Sequence, residues 1–202
     1  MKREGEIKEL LISNAIHLIA EGGFEKATTK EIAYSGGHLP ELKMNEVYIY
    51  RYFGSKEQLF DAAFRQLDTE LFSAFKKGVQ TVGGFDQDRR ERLYQFFLMA
   101  WRFSQKNEDR CRCYVRYYYS IYFKKNSLEE HNRRFAEIVA QMAPMFREEA
   151  DVTAIMHCVF TMLFDFSIRV YNGTLEDNEV NRAHMFNVLY CMMSSYFKEE
   201  VA

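Results

Sequence analysis

The chain has 202 residues, of which 48% are hydrophobic, 16% aromatic and 28% charged, with a formal net charge of −2. That apolar share is ample for a packed core, and only two prolines and ten glycines interrupt it, so long helices are expected. The opening MKREGEIKEL has no apolar segment of the secretory kind, and the longest purely apolar run, FFLMAW at 96–101, is far below the roughly 18 residues of a membrane span. A cytoplasmic protein with no membrane partner is the expectation.

Four cysteines stand at 111, 113, 158 and 191. The C-x-C spacing lacks the gap usual for structural zinc, and no second pair completes it. Free thiols in a helical core are one reading, and a redox or soft-metal sensor using Cys111 and Cys113 is the other. No metal and no cofactor are expected. The five histidines are scattered, and neither a nucleophile elbow, a phosphate loop, a zinc-protease helix nor a dinucleotide fingerprint occurs, so the chain is not expected to be an enzyme.

In chain order, apolar residues Ile7, Leu10, Leu11, Ala15, Leu18 and Ile19 share one face of a first helix near 4–21. Gly22-Gly23 stops it, and Phe24 is placed to plug a core. His17 is a satisfied or exposed structural histidine. Thr28 followed by Glu31 is a capping box that opens a short second helix near 29–34. Asn45 is a good N-cap for a third near 46–52, which turns Ile49 and Phe53 inward and sets 45, 48 and 52 on one face. Ser55 with Gln58 opens a long fourth helix to about 78, where Gly78 closes it. Two short helices joined by a Gly-containing turn, followed by a long one, outline a helix-turn-helix headpiece.

The order T-T-x-x-I-A, then I-Y-x-Y-F, then S-K-E-x-L-F resembles the TetR family of one-component transcriptional regulators. The carriers are Thr28, Thr29, Ile32, Ala33, Ile49, Tyr50, Tyr52, Phe53, Ser55, Lys56, Glu57 and Leu59. Residues 7–24 are similar to that family's first helix. Three departures are specific: extra residues within SGGHLPELK lengthen the turn, Val47 takes the place of a glycine, and Glu46 stands where Lys is common. The resemblance implies an all-α protein with a DNA-binding domain at 1–55 and an effector-binding and dimerisation domain at 56–202.

Residues 1–64 hold eight Lys+Arg against ten Asp+Glu, so DNA affinity is expected to be modest and salt-sensitive. The cations Lys30, Lys43, Arg51 and Lys56 nevertheless cluster about the two short helices. The N-terminus of the second helix can offer Thr28 and Thr29 to a phosphate, though Thr28 also serves as a cap. Asn45 and Tyr48 can reach base edges, while Tyr50, Tyr52 and Lys56 match family positions that touch the DNA backbone. Core packing is the other reading of this aromatic run.

Beyond a loop at 82–88, helices are expected near 88–106, 109–124, 128–148, 151–172 and 177–199, with Pro144 kinking or splitting the third. LYQFFLMAW is apolar nearly all round, and YVRYYYSIYF carries five Tyr within ten residues, which suits a pocket wall or an interface. The candidate effector pocket is Tyr94, Phe97, Trp101, Tyr114, Tyr117, Tyr118 and Asp165, for an aromatic or hydrophobic small molecule. His157, Thr161, Asp165 and Arg169 form a polar stripe, read either as a solvated seam with an Asp165–Arg169 pair or as part of that cavity. By resemblance, the last two helices pair with a symmetry mate through Val159, Met162, Met185, Val188, Leu189, Met192, Met193 and Tyr196. The same face serving as core in a monomer is the alternative.

The function implied is a ligand-responsive transcriptional regulator, a repressor that binds a pseudo-palindromic double-stranded DNA operator as a homodimer. The alternative is a dimeric small-molecule-binding or interaction module with degenerate DNA binding.

Overall fold

The computed structural model describes residues 2–35, 45–82 and 88–199, and the predicted long turn, Lys43 and nearly all of the 82–88 loop lie outside them. Ten α-helices and one 3-10 turn cover the described chain, and the sole β feature there is an isolated bridge between Phe146 and Phe197. The chain divides into two compact units, Met1–Glu70 with Glu108–His131, and Leu71–Asn107 with Asn132–Ala202.

The first unit begins with α1 (Lys2–Lys26), whose Ile7, Leu11, Ala15, Leu18 and Ile19 are buried. Gly23 adopts φ 75°, a left-handed conformation that costs an L side chain energy, so the helix kinks there before running on to Lys26. The short helices α2 (Thr29–Tyr34) and α3 (Val47–Phe53) bury Ile32, Ala33 and Ile49. The Asn14 amide donates to the Ile32 carbonyl at 2.8 Å, which ties α1 to α2. Gly54 ends α3 at φ 83°. α4 (Lys56–Val82) contributes Leu59, Phe60, Ala63 and Phe64 to this core.

The predicted helix near 109–124 is two helices, α6 (Glu108–Tyr118) and α7 (Ile121–Asn126), because the Ser120 hydroxyl caps the second by accepting the Tyr122 N–H at 3.2 Å. Phe64 stacks on Tyr117 and Tyr114 with centroids 4.4 and 5.1 Å apart, and Phe24 packs on Phe60 and Tyr122. Beneath the rings lie two carboxylates. Asp61 accepts from the Tyr117 hydroxyl at 2.8 Å, from Ser127 at 2.5 Å and from Arg65 at 2.6 Å. Asp68, fully buried, faces His131 at 2.8 Å and the Tyr114 hydroxyl at 3.3 Å. His17 is exposed and bonds Asp109 at 2.7 Å, a structural role.

The second unit takes the end of α4, α5 (Arg89–Lys106), most of α8 (Leu128–Met142), α9 (Val152–Tyr171) and α10 (Glu179–Ser194). Gly78 does not close α4. It lies inside the helix, where an added Cβ would sit 2.8 Å from the Phe96 ring, so the glycine permits close helix packing. Pro144 does split the chain: α8 stops at Met142 and residues Ala143–Met145 form the 3-10 turn. The last helix is shorter than predicted. After Ser194 the chain turns back, and Arg147 and Lys198 N–H groups donate to the Tyr196 and Met145 carbonyls at 2.9 and 3.0 Å.

α9 is the one helix among the described residues that is long and apolar enough to cross a bilayer by length and composition, at mean hydropathy 1.4. Counting uninterrupted apolar runs missed it because His157, Thr161, Asp165 and Arg169 break its sequence. All four are exposed, on one face.

Candidate nucleic-acid interface

Two N-terminal helix ends carry the candidate contacts. Thr28 is extended (φ −74°, ψ 157°) and its hydroxyl accepts the Glu31 N–H at 3.1 Å, so capping is its structural role. Thr29 begins α2, and its hydroxyl donates to the Glu46 carboxylate at 2.5 Å. That bond joins the entries of α2 and α3 and occupies the donor that the sequence assigned to phosphate. Asn45 uses its side-chain oxygen locally, accepting the Val47 N–H at 3.2 Å, while its carbonyl accepts Tyr48 N–H at 2.9 Å. Glu46 holds the cap position and makes no side-chain cap bond.

The α3 aromatics are divided. Tyr48 and Tyr52 are half-buried and stack at 5.8 Å with planes 6° apart. Lys8 and Arg51 hold their charges 5.4 and 5.6 Å from the Tyr52 ring, within cation–π reach. Tyr50 points away, 55% exposed. Lys56, in the first turn of α4, lies 5.6 Å over Phe60, and Ser55 caps that turn by accepting the Gln58 N–H at 3.2 Å. Lys30 and Arg51 are exposed, and Val47 is 61% exposed.

The structure therefore gathers Tyr48, Arg51, Tyr52 and Lys8 into one cationic aromatic group. Lys8 is the member the sequence did not offer, since nothing local distinguishes it from the other charges of α1. Glu4 pairs with Lys8 at 3.1 Å and so brings a carboxylate to this group.

The residues expected to form an effector pocket are divided between the two units. Tyr114, Tyr117 and Tyr118 belong to the first unit, where Tyr114 and Tyr117 bond to Asp68 and Asp61. Burial raises the Tyr117 hydroxyl well above the usual phenol range, and the Asp61 carboxylate adds to the shift. Asp165 lies on the surface and pairs with Arg169 at 2.7 Å, so the solvated-seam reading describes it.

In the second unit, Phe97 helps enclose an apolar cavity of about 30 Å³, lined also by Phe75, Met156, Leu163 and Phe186. Its size suits about one water, yet an apolar wall offers that water no partner. Tyr94 and Trp101 instead line an open cleft of about 400 Å³ with Arg102, Lys106, Asp177 and Arg182.

Of the predicted dimer residues, Met185, Leu189 and Met193 are 3–5% exposed and serve the protomer's own core. Helical spacing cannot tell the inner from the outer half of a wide apolar face. Val188 and Tyr196 are exposed, at 51% and 45%, and Val159, Met162 and Met192 are half-buried. Cys111 and Cys113 are buried, and burial pushes the Cys113 thiol up to about 12, so it is inert at neutral pH. Cys158 and Cys191 are exposed.

Residues 11–63 match the family described as bacterial regulatory proteins, tetR family. The chain is similar to the nucleoid occlusion factor SlmA of Enterobacter sp. strain 638, 25% identical over 143 residues, covering 70% of this chain and 66% of that protein. Against the same factor of Mannheimia succiniciproducens it is 26% identical over 103 residues, 50% and 43% of the two chains. The chain thus spans just under two thirds, or less than half, of these relatives' lengths. Among solved structures, a TetR family transcription regulator from Marinobacter aquaeolei VT8 superposes with a TM-score of 0.75 at 16% identity, over 95% of this chain and 97% of that one. A protein from Saccharomonospora viridis, solved in complex with choline, gives 0.63 at 18% identity over 97% and 100%. These structures share the whole-chain fold.

Proposed function

We propose that this chain, whose residues 11–63 match the bacterial tetR regulatory family and whose fold is that of TetR-family regulators, acts in the cytoplasm as a homodimeric repressor, released from its operator by a small-molecule effector. The observation that carries the reading is the cationic aromatic face of α3, with Tyr50 free and Tyr52 flanked by Lys8 and Arg51. Hydroxyls and cations at that spacing suit sugar and phosphate contact, while Asn45 and Tyr48 are offered to base edges. Residues 1–55 bind DNA, and 56–202 take the effector and the partner copy.

A C₂ dimer would set two α3 helices in successive major grooves, about 34–36 Å apart, on a pseudo-palindrome. Val188, Tyr196, Val159, Met162 and Met192 are the parts of the proposed α9 and α10 pairing face left accessible in the protomer. An aromatic or hydrophobic effector that binds one headpiece spacing better than the other shifts DNA affinity by that difference. No catalytic chemistry is required.

One observation favours the second reading, a dimeric binding module with degenerate DNA recognition. The Glu46 carboxylate holds the Thr29 hydroxyl at 2.5 Å and puts negative charge where a phosphate would come. Selection of genomic fragments by the purified protein at two salt concentrations separates the readings. The regulator recovers one short inverted repeat, and binding to it weakens about tenfold in Lys56→Ala and less in Tyr50→Phe. Glu46→Gln tightens it. No enrichment over a background erased by salt selects the second reading.

A further inference from the structure

The open cleft along α5 and the start of α10 is lined by charged groups of both signs beside aromatic rings. Its cations are Arg102, Lys106 and Arg182, and its carboxylates are Asp177 and Glu179. Asp177 Oδ1 accepts from both Trp101 Nε1 at 3.0 Å and Arg182 at 2.6 Å, which ties this carboxylate to the cleft's own wall. That leaves Arg102 and Lys106, one helical turn apart and both exposed, with no ion pair or hydrogen bond among the described residues. Like charges at this spacing repel, and a bound anion relieves the repulsion. Arg102 also offers a planar fork that matches a carboxylate with two parallel hydrogen bonds.

The wall beside these cations is aromatic and fixed. Trp101 is 2% exposed and its indole is pinned by Asp177. Tyr94 packs on Phe186 at 4.9 Å and on Phe97 at 6.4 Å. A planar ligand finds these rings already in place, so little side-chain freedom is lost on binding. A cation would meet a net positive lining. Glu179, on the α10 wall, opposes a second negative charge there.

From this juxtaposition we infer that the cleft binds an aromatic monocarboxylate, its ring against Tyr94 and beside the exposed edge of Trp101, and its carboxylate on Arg102 and Lys106. The inference rests on the regulator reading only for its consequence, that such a compound is the effector or a close relative of it.

Trp101 is the single tryptophan of the chain, so its fluorescence reports this cleft alone. The probes are p-nitrobenzoate and its neutral isostere p-nitrobenzamide, both quenchers. The carboxylate quenches saturably and the amide does not. Arg102→Gln weakens the carboxylate about tenfold, as expected for loss of a charge-assisted pair of bonds, and Lys106→Gln about threefold. Glu179→Gln leaves its binding unchanged or tighter. All three positions are solvent-exposed, so folding is retained, which circular dichroism verifies.

Quenching that is linear for both compounds, or unaltered in Arg102→Gln, overturns the site. A second measurement adds the carboxylate to the protein bound to its selected DNA. Release of DNA joins the site to the proposed regulation. Saturable quenching without release keeps the anion site and removes its role as effector site, while a failed fluorescence titration leaves the DNA reading untouched.

Discussion

In the first unit, Asp61 and Asp68, two turns apart on α4, each gather a tyrosine hydroxyl and a second donor into a buried cluster. In the second unit, the end of the same helix presents Phe72 and Phe75, which meet Phe135 and Phe160 ring on ring, around a small cavity whose lining is wholly apolar. Hydrogen bonds to a carboxylate are directional, so they fix which turn of α4 faces which turn of α6. Apolar rings carry no such directional requirement, so more than one arrangement of them can fill the same volume. One interior specifies a single register, and the other tolerates adjustment. The proposed effector response would draw on both, a firm headpiece and a body whose packing a ligand can alter.

The largest effect should come from Asp68→Ala. Its carboxylate is fully buried against His131 and Tyr114, and removing it takes a buried acceptor away from each of them. A loss of about 3 kcal/mol in urea unfolding is expected. A loss under about 1 kcal/mol would mean that the cluster is no more specific than the apolar interior, and the contrast would fail.

Leu189→Ala tests the other side. Leu189 is 3% exposed and lines the cavity, so truncation should cost about 2–3 kcal/mol. It should also enlarge a dry space enough to take benzene, seen as a rise in melting temperature on adding it. No benzene effect would show that the second interior collapses around the missing atoms, which makes it more adaptable still.

The sequence revealed these regions unequally, and the reason is range. Caps are local: Thr28, Ser55, Asp88 and Asn178 each bond an N–H within three residues, and three helix starts of the headpiece could be read from such residues. The Ser120 cap was equally local, yet the surrounding tyrosines concealed the break between α6 and α7. Side-chain partners are distant: 56 residues separate Tyr117 from Asp61, and 17 separate Thr29 from Glu46. A tyrosine-rich helix has the same spacing whether its hydroxyls face a ligand or a buried carboxylate, so Tyr114 and Tyr117 were assigned to the pocket. The Asp165–Arg169 pair was readable at i, i+4, but its exposure was not. The cleft at Trp101 escaped because Arg182 and Asp177 come from the far end of the chain.

The smallest effect sharpens the comparison by moving the same device to the surface. The Glu57 carboxylate, in the first turn of α4, accepts its own backbone N–H and the Ser55 hydroxyl, and these bonds hold it below the usual carboxylate range. A folded-state pKa lowered in this way contributes stability that is present above the unfolded value of about 4.5 and is lost as pH falls through the folded value. Glu57→Gln should therefore cost about 0.5 kcal/mol at pH 7, the scale of an exposed charge at a helix N-terminus, and the gap between variant and parent should close as pH falls towards 3. Unfolding free energies compared at pH 7 and pH 3 test this. A cost as large as that of Asp68→Ala would mean that burial adds nothing to a carboxylate's hold on its donors. A small, acid-labile cost instead makes desolvation the difference between the cluster that fixes α4 and the cap that merely begins it.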